Sequence, residues 1–244
     1  MSAIEPSVLS AGRPLRGARV ALAWSGGKDS ALALRALRSQ GIAVTALLTT
    51  VTEGYERVSM HGVRRVLLRR QAAAAGLPLV EVAIPPGCPN ELYEERMATA
   101  LAAPPLDEAQ TIAFGDLFLE DVRAYREERL EGAGRRAVFP LWGRDTGELA
   151  RAFLADGFEA VVCCLDPRRL DPAFAGRRYD ARFLEELPED VDPCGENGEF
   201  HTFVHAGPVL SRPVACRVGE VVEREGFVFC DLLPAGPPTG TRPS

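Results

Sequence analysis

The sequence predicts an α/β fold: a parallel sheet with helices on its faces, followed by a smaller, strand-rich C-terminal portion. Three observations carry this. Short apolar runs alternate with helical stretches from residue 18 to residue 165, the pattern of a sheet covered by helices. The first apolar run ends abruptly in Ser25-Gly26-Gly27 and passes straight into a helical pattern. After Asp166 the chain is punctuated by Pro167, Pro172, Gly176, Pro188, Pro193 and Gly195, and short β-type runs replace the alternation.

Taken in order, strands are expected at 19–24, 42–49, 79–84, 111–114, 137–141 and 158–165. Helices are expected at 29–40, 61–75, 90–101, 118–131 and 146–155. Gly41 and Gly76 fit helix stops, and residues 50–60 read as a polar loop. In the later portion, 200–204, 214–218 and 226–232 have strand character. The expected organisation is a first domain over 18–165 and a smaller C-terminal portion over 166–234, with tails at 1–17 and 235–244.

The chain has 244 residues, 46 % of them hydrophobic and 25 % charged, enough for a sizeable core without staples. A net charge of −6 argues against a general nucleic-acid surface. No apolar run approaches the roughly 20 residues of a membrane helix, and residues 1–17 have no apolar signal core. A cytoplasmic protein without membrane contact is therefore expected. The six cysteines show neither C-x-x-C nor zinc spacing. Cys163 and Cys164 lie in an apolar run and read as buried thiols.

The chemistry concentrates at strand ends, where open α/β sheets bind ligands. Ser25-Gly26-Gly27-Lys28-Asp29-Ser30 joins the first strand to the first helix. Its glycines let a ligand approach the backbone, the helix start favours an anion, and Lys28 adds a full positive charge. The spacer of a Walker A loop and the third glycine of a dinucleotide fingerprint are both missing. The plain alternative is a tight strand-to-helix turn. Thr49, at the expected end of the second strand, offers backbone against which an adenine could lie. Gly115-Asp116 follows the fourth strand, as a close-approach glycine with a carboxylate for hydroxyls or Mg²⁺, or as a helix N-cap. The run from Asp192 to Phe203 packs Cys194, Gly195, Glu196, Asn197, Gly198, Glu199 and His201 into one loop-to-strand junction. Alternation would put Glu199, His201 and Phe203 on one strand face; a turn with solvated acids is the competing reading. Cys194 reads as a structural thiol rather than a nucleophile.

S-G-G-K-D-S resembles the pyrophosphate loop of the ATP pyrophosphatase superfamily. Together with S-M-H-G-V at residues 59–63, G-D at 115–116 and G-E-N-G-E-F-H-T-F at 195–203, it resembles the diphthine–ammonia ligase family. The resemblance spans about 19–233. It implies a Rossmann-like sheet of the adenine nucleotide alpha hydrolase type, ATP and Mg²⁺ as cofactors, and adenylation of a carboxylate followed by attack of ammonia. Carried onto this sequence, it implies nucleotide contacts at Ser25, Gly26, Gly27, Lys28, Asp29, Ser30, Thr49, His61, Gly115 and Asp116. Asp29 would hold the metal, and Lys28, Asp29, Glu196 and Glu199 would carry catalysis. His61 fits as a neutral hydrogen-bonding residue at the start of the second helix, and Lys28 as part of an exposed loop. The implied partners are ATP, ammonia and a carboxylate-bearing acceptor, and a homodimer is compatible with the sequence. Asn197 stands where the family has glycine, and His201 where Glu is common. The alternatives are a tRNA-modifying enzyme with a similar loop and a regulatory module that binds ATP or AMP without turnover.

Overall fold

A computed structural model describes residues 17–58 and 60–236. The expected tails before residue 17 and beyond residue 236, and Ser59 of the S-M-H-G-V run, lie outside the described residues. In chain order the elements are β1 (Val20–Ala23), α1 (Lys28–Ser39), β2 (Val44–Thr52), β3 (Arg57–Val58), α2 (Arg65–Ala75), β4 (Leu79–Ile84), α3 (Asn90–Leu101), β5 (Thr111–Ala113), α4 (Glu120–Gly132) and β6 (Arg136–Val138). They are followed by α5 (Thr146–Ala155), β7 (Glu159–Leu165), α6 (Ala181–Glu185), β8 (Phe200–Ala206), β9 (Cys216–Arg224) and β10 (Phe227–Pro234).

The first sheet pairs β4, β2, β1, β5 and β6 in parallel, with β3 added antiparallel at the end of β2. Alternate residues of its strands feed two cores. Val20, Leu22 and Leu47 face α1 and α2, whereas Ala21, Ala46 and Leu48 face Leu101 of α3 and Leu130 of α4. After β1 the chain builds outward to β2 and β4, then returns to lay β5 on the other flank of β1. The strand order thus reverses between β1 and β5. Their carboxyl ends frame the crevice where such sheets take ligands.

The second sheet is antiparallel, in the order β8-β7-β10-β9. Here the structure departs from the sequence reading. The strand at 158–165 was expected to extend the first sheet, but β7 pairs with β8 and β10, so the change of sheet comes before Asp166. The run Ala160–Leu165 is buried on both faces, and such a run signals burial without saying which sheet supplies it. The helix expected from His61 starts only at Arg65. Met60 and Gly62 have φ of 65°, which a right-handed helix cannot use, and β3 occupies part of the expected loop. β2 runs on to Thr52 because β4 pairs with it from Leu47 to Thr52. Thr49 is therefore a buried residue inside the strand rather than at its end. β6 is shorter than expected and β9 longer, the latter held by β10 along its length.

One hydrophobic cluster runs from Val20 through Phe203 to Leu232 and so fuses the two sheets. At their edge, Arg57 and Arg64 both reach Asp231 of β10, at 3.0 and 2.7 Å. Arg65 and Arg69 of α2 both hold Glu81 of β4. Among the described residues no helix is long and apolar enough to cross a membrane.

The Asp231 clamp makes a pH prediction. Hydrogen bonds from Arg64, and then Arg57, overcome burial and hold its carboxyl at about 2, against an ordinary 3.8. A depressed carboxyl contributes stability that is whole above the unfolded value and is lost as pH falls through the folded one. Urea unfolding of Asp231→Asn should therefore show a loss of about 2 kcal/mol near neutrality, shrinking between about pH 4 and pH 2. A gap that does not change over that range would mean the arginines are not paired with this carboxylate.

Candidate active site

The loop between β1 and α1 is built without a side-chain cap. Gly27 is the N-cap of α1, and its N–H donates to Ser25 Oγ at 3.2 Å. Ser30 Oγ donates back to the Gly27 carbonyl at 2.9 Å. What orders the loop is β8, which lies against it. The Val204 N–H donates to the Gly26 carbonyl at 2.9 Å, and the Lys28 N–H to Thr202 Oγ1 at 3.1 Å. A Cβ on Gly27 would stand 3.0 Å from the Thr202 carbonyl, and Gly26 has φ of +81°. Both glycines are set by geometry within the protein.

Lys28 is 2 % exposed, so the loop is not the exposed one expected from sequence. Its ammonium donates to Asp29 Oδ2 at 2.8 Å and to the Cys194 carbonyl, and lies 5.6 Å from the centre of the Phe200 ring. Burial alone would lower its pKa, but Asp29, the Cys194 side chain and Glu196 outweigh that and raise it, so the charge is retained. Burial raises the Asp29 carboxyl, with Lys28 opposing. Asp29 Oδ1 is buried without a hydrogen-bond partner.

Gly115-Asp116 follows β5 directly across the crevice. A Cβ on Gly115 would meet the Asp29 carbonyl carbon at 2.9 Å, so this glycine lets the backbone of α1 pack close. Asp116 is not a helix cap, since α4 is capped at Leu119. It pairs with Arg126 at 2.8 Å, and burial raises its carboxyl.

The 192–199 run folds over Lys28 from the other side. Asp192 Oδ1 accepts the Cys194 N–H at 2.7 Å and the Glu196 N–H at 3.3 Å. Glu196 Oε1 accepts the Leu117 N–H at 2.6 Å, which ties this run to the end of β5. Burial lifts its carboxyl to about 7, with the Leu117 N–H opposing and the Asp29 charge adding to the rise. Glu199, expected among the catalytic groups, is instead turned into its own loop and fully buried. Its Oε1 accepts the Asp192 N–H at 3.2 Å and Asn197 Nδ2 at 2.9 Å. Asn197 thus serves Glu199. The His201 ring lies against that of His61, centroids 4.4 Å apart and planes tilted by 34°, and the His61 Nε2 would lie 3.5 Å from a Cβ on Gly27. His61 sits in a turn, not at a helix start, and burial pushes the His201 pKa well below 6.5. Burial also pushes the Cys194 thiol up, which removes thiolate character.

Beside this arrangement opens a cleft of about 1420 Å³, lined by Thr52, Ile84, Phe114, Arg126, His201 and Phe229 among others. It exceeds the roughly 300–1,000 Å³ typical of small-molecule sites. Thr49 lies farther back, paired across to Glu81 of β4. Among the described residues no group of three or more His, Cys, Asp or Glu side chains is poised to hold a metal. Mg²⁺ is usually bound by one or two carboxylates together with substrate phosphates and water, and the unpartnered Asp29 Oδ1 suits that arrangement.

Sequence reasoning missed Thr202, Asp192 and Gln71. Thr202 and Asp192 stood inside the quoted run, but nothing in it said that they bond to backbone. Gln71 carried a signal: a polar residue in the stripe Leu67, Leu68, Gln71, Ala75 on the buried side of α2.

The fold is a parallel α/β sheet with an antiparallel C-terminal sheet built onto the crevice at the carboxyl ends of β1 and β5. Two family models match consecutive parts of the chain, the diphthamide synthase N-terminal domain over residues 18–136 and its C-terminal domain over 145–231. The chain belongs to the diphthamide synthase family. It is 22 % identical over 236 residues to the diphthine–ammonia ligases of Rattus norvegicus and Homo sapiens, covering 88 % of this chain and of each of theirs. A solved structure described as a predicted subunit of tRNA methyltransferase from Methanocaldococcus jannaschii aligns with a TM-score of 0.42 and 18 % identity, over 80 % of this chain and 100 % of that one.

Replacing Lys28 by Met keeps the volume and removes the ammonium. Asp29 and the Cys194 carbonyl then lose their donor, and a bond to a charged group is worth about 1.5–3 kcal/mol. Chemical denaturation should show a loss of that size. Unfolding curves superimposable on wild type would mean the side chain stands in solvent.

Proposed function

We propose that the protein is an ATP-dependent ligase that forms a carbon–nitrogen bond, activating a carboxylate as its adenylate and passing it to ammonia. The observation that carries this reading is the contact between the two motifs. Glu196, from the C-terminal run, reaches the end of β5 and shares its surroundings with Lys28 and Asp29. A module that only sensed nucleotide would not need a titrating carboxyl beside the phosphate loop.

A carboxylate does not react with ammonia directly, because hydroxide leaves poorly. Its attack on the α-phosphorus of ATP forms an acyl–phosphate bond and expels pyrophosphate. Ammonia then adds to the acyl carbon, AMP leaves, and one proton is released. In this scheme Gly26, Gly27 and the first turn of α1 receive the phosphates, joined by Ser25 and Ser30. Lys28 exchanges the Cys194 carbonyl for a phosphate oxygen, neutralising charge as pyrophosphate departs. Asp29 would hold Mg²⁺, which supplies further charge neutralisation when bound. Gly115-Asp116 border the nucleoside end, with Thr49 behind them inside β2. Glu196 takes the proton from the attacking ammonia, and its carboxyl near 7 suits that transfer. Glu199 acts through the loop that it holds. The acceptor occupies the cleft and presents its carboxylate beside His61 and His201. Both steps draw on one bound geometry, so positioning supplies much of the rate.

Two outcomes test this. With ATP labelled at the α-phosphate, the products should be AMP and pyrophosphate; ADP as the main product would contradict the assignment. At a fixed concentration of free ammonia, amide formation should rise as pH climbs through about 7, because the ionised form of Glu196 accepts the proton. Glu196→Gln should slow amide formation by about 10²-fold or more and flatten that limb. A limb retained in the variant would assign the proton to another group.

A further inference from the structure

Gln71 stands on the inward stripe of α2 and is 0 % exposed. Both ends of its amide are engaged. Oε1 accepts the indole N–H of Trp24 at 2.7 Å. Nε2 donates to the carbonyl of Gly26 at 2.9 Å and to the carbonyl of Val204 at 2.6 Å. Turned over, the amide would set its oxygen against two carbonyls and its N–H groups against an indole N–H. The surroundings therefore select one orientation.

These bonds bear on the phosphate loop itself. The Gly26 carbonyl and the Gly27 N–H belong to one planar peptide. Anchoring the carbonyl on Gln71, with the Val204 N–H as second donor, aims the Gly27 N–H into the hollow of the loop beside Ser25 Oγ. A Cβ on Gly26 would meet both Gln71 Oε1 and Leu68 Cδ1 at 2.7 Å, so the glycine and the glutamine are fitted to each other. The bond to Val204 ties the same peptide to β8, the strand whose head carries the 192–199 run.

We infer that Gln71 is a positioning residue for the phosphate loop: it holds the Gly26–Gly27 peptide in its anion-receiving orientation and links it to β8. Trp24 in turn holds Gln71. The inference rests on the reading of the loop as the ATP site.

The test is ATP binding by calorimetry to wild type, Gln71→Met and Gln71→Glu. Wild type sets the baseline: if it does not bind ATP, the nucleotide reading falls and this inference with it. If it binds, Gln71→Met should bind about 10-fold more weakly or worse, since two buried carbonyls lose a shared donor. Gln71→Glu separates positioning from space-filling. Ionised, its carboxylate faces two carbonyls; protonated, it regains one donor. Its affinity relative to wild type should therefore recover as pH is lowered from about 8 to about 6, while that of Gln71→Met should not. Unchanged affinity in Gln71→Met, or losses in Gln71→Glu that are the same at every pH, would overturn the inference. Should Gln71→Met not fold, hydrogen exchange on wild type decides. Saturating ATP should slow exchange of the Trp24 indole N–H and the Val204 N–H together, and unchanged protection of both would overturn it.

Discussion

The structure depends on the way the phosphate loop lies along strand β8. A loop at a strand end normally satisfies its backbone with water or ligand. Here the Gly26 carbonyl and the Lys28 N–H are buried and must be bonded within the protein, and Val204 and Thr202 supply the partners at 2.9 and 3.1 Å. This fixes which residues can stand in the loop. A side chain at Gly27 would press on the Thr202 carbonyl, and one at Gly26 on Gln71 and Leu68. The first sheet therefore cannot present its loop correctly without the second sheet in place. The loop at residues 25–30 and the C-terminal sheet are held together because they share hydrogen bonds.

Charge follows from that arrangement. The crevice gathers Asp29, Asp116 and Glu196 around the single ammonium of Lys28, and burial raises the pKa of all three carboxyls. Arg126 pairs with Asp116, which leaves Asp29 and Glu196 to share the Lys28 ammonium, and a polyphosphate would add negative charge to that. A divalent cation on Asp29 would offset it, consistent with the way Mg²⁺ is shared between carboxylates and phosphates. The Lys28–Cys194 contact gives the loop a closed form in which the 192–197 segment occupies the ammonium. On the proposed reading, Lys28 turns from the Cys194 carbonyl towards a phosphate oxygen when nucleotide binds.

Much of this was legible in the sequence. The alternation up to α5 gave the parallel sheet because each strand is a short apolar run bounded by glycine or proline. The strand–loop–helix turn at residues 25–30 was legible because two glycines and a helical pattern follow an apolar strand. What escaped depended on contacts distant in the chain. Nothing local in Ala160–Leu165 says that β7 joins β8 and β10. Met60 and Gly62, with φ of 65°, break a helix that composition alone would start at His61. Glu199 looked catalytic as a carboxylate beside glycines, and only the fold turns it inward onto Asp192 and Asn197. Gly115 was singled out for approach by a ribose or phosphate, and nothing local in the sequence told of the α1 backbone packed against it.

The most direct measurement is a crystal structure with an ATP analogue that cannot be cleaved between its α and β phosphates. The account predicts the triphosphate on the backbone of residues 26–30, with Lys28 Nζ moved from the Cys194 carbonyl to a phosphate oxygen and Glu196 bordering the same space. An analogue bound elsewhere in the cleft, with the Lys28–Cys194 contact intact, would contradict it.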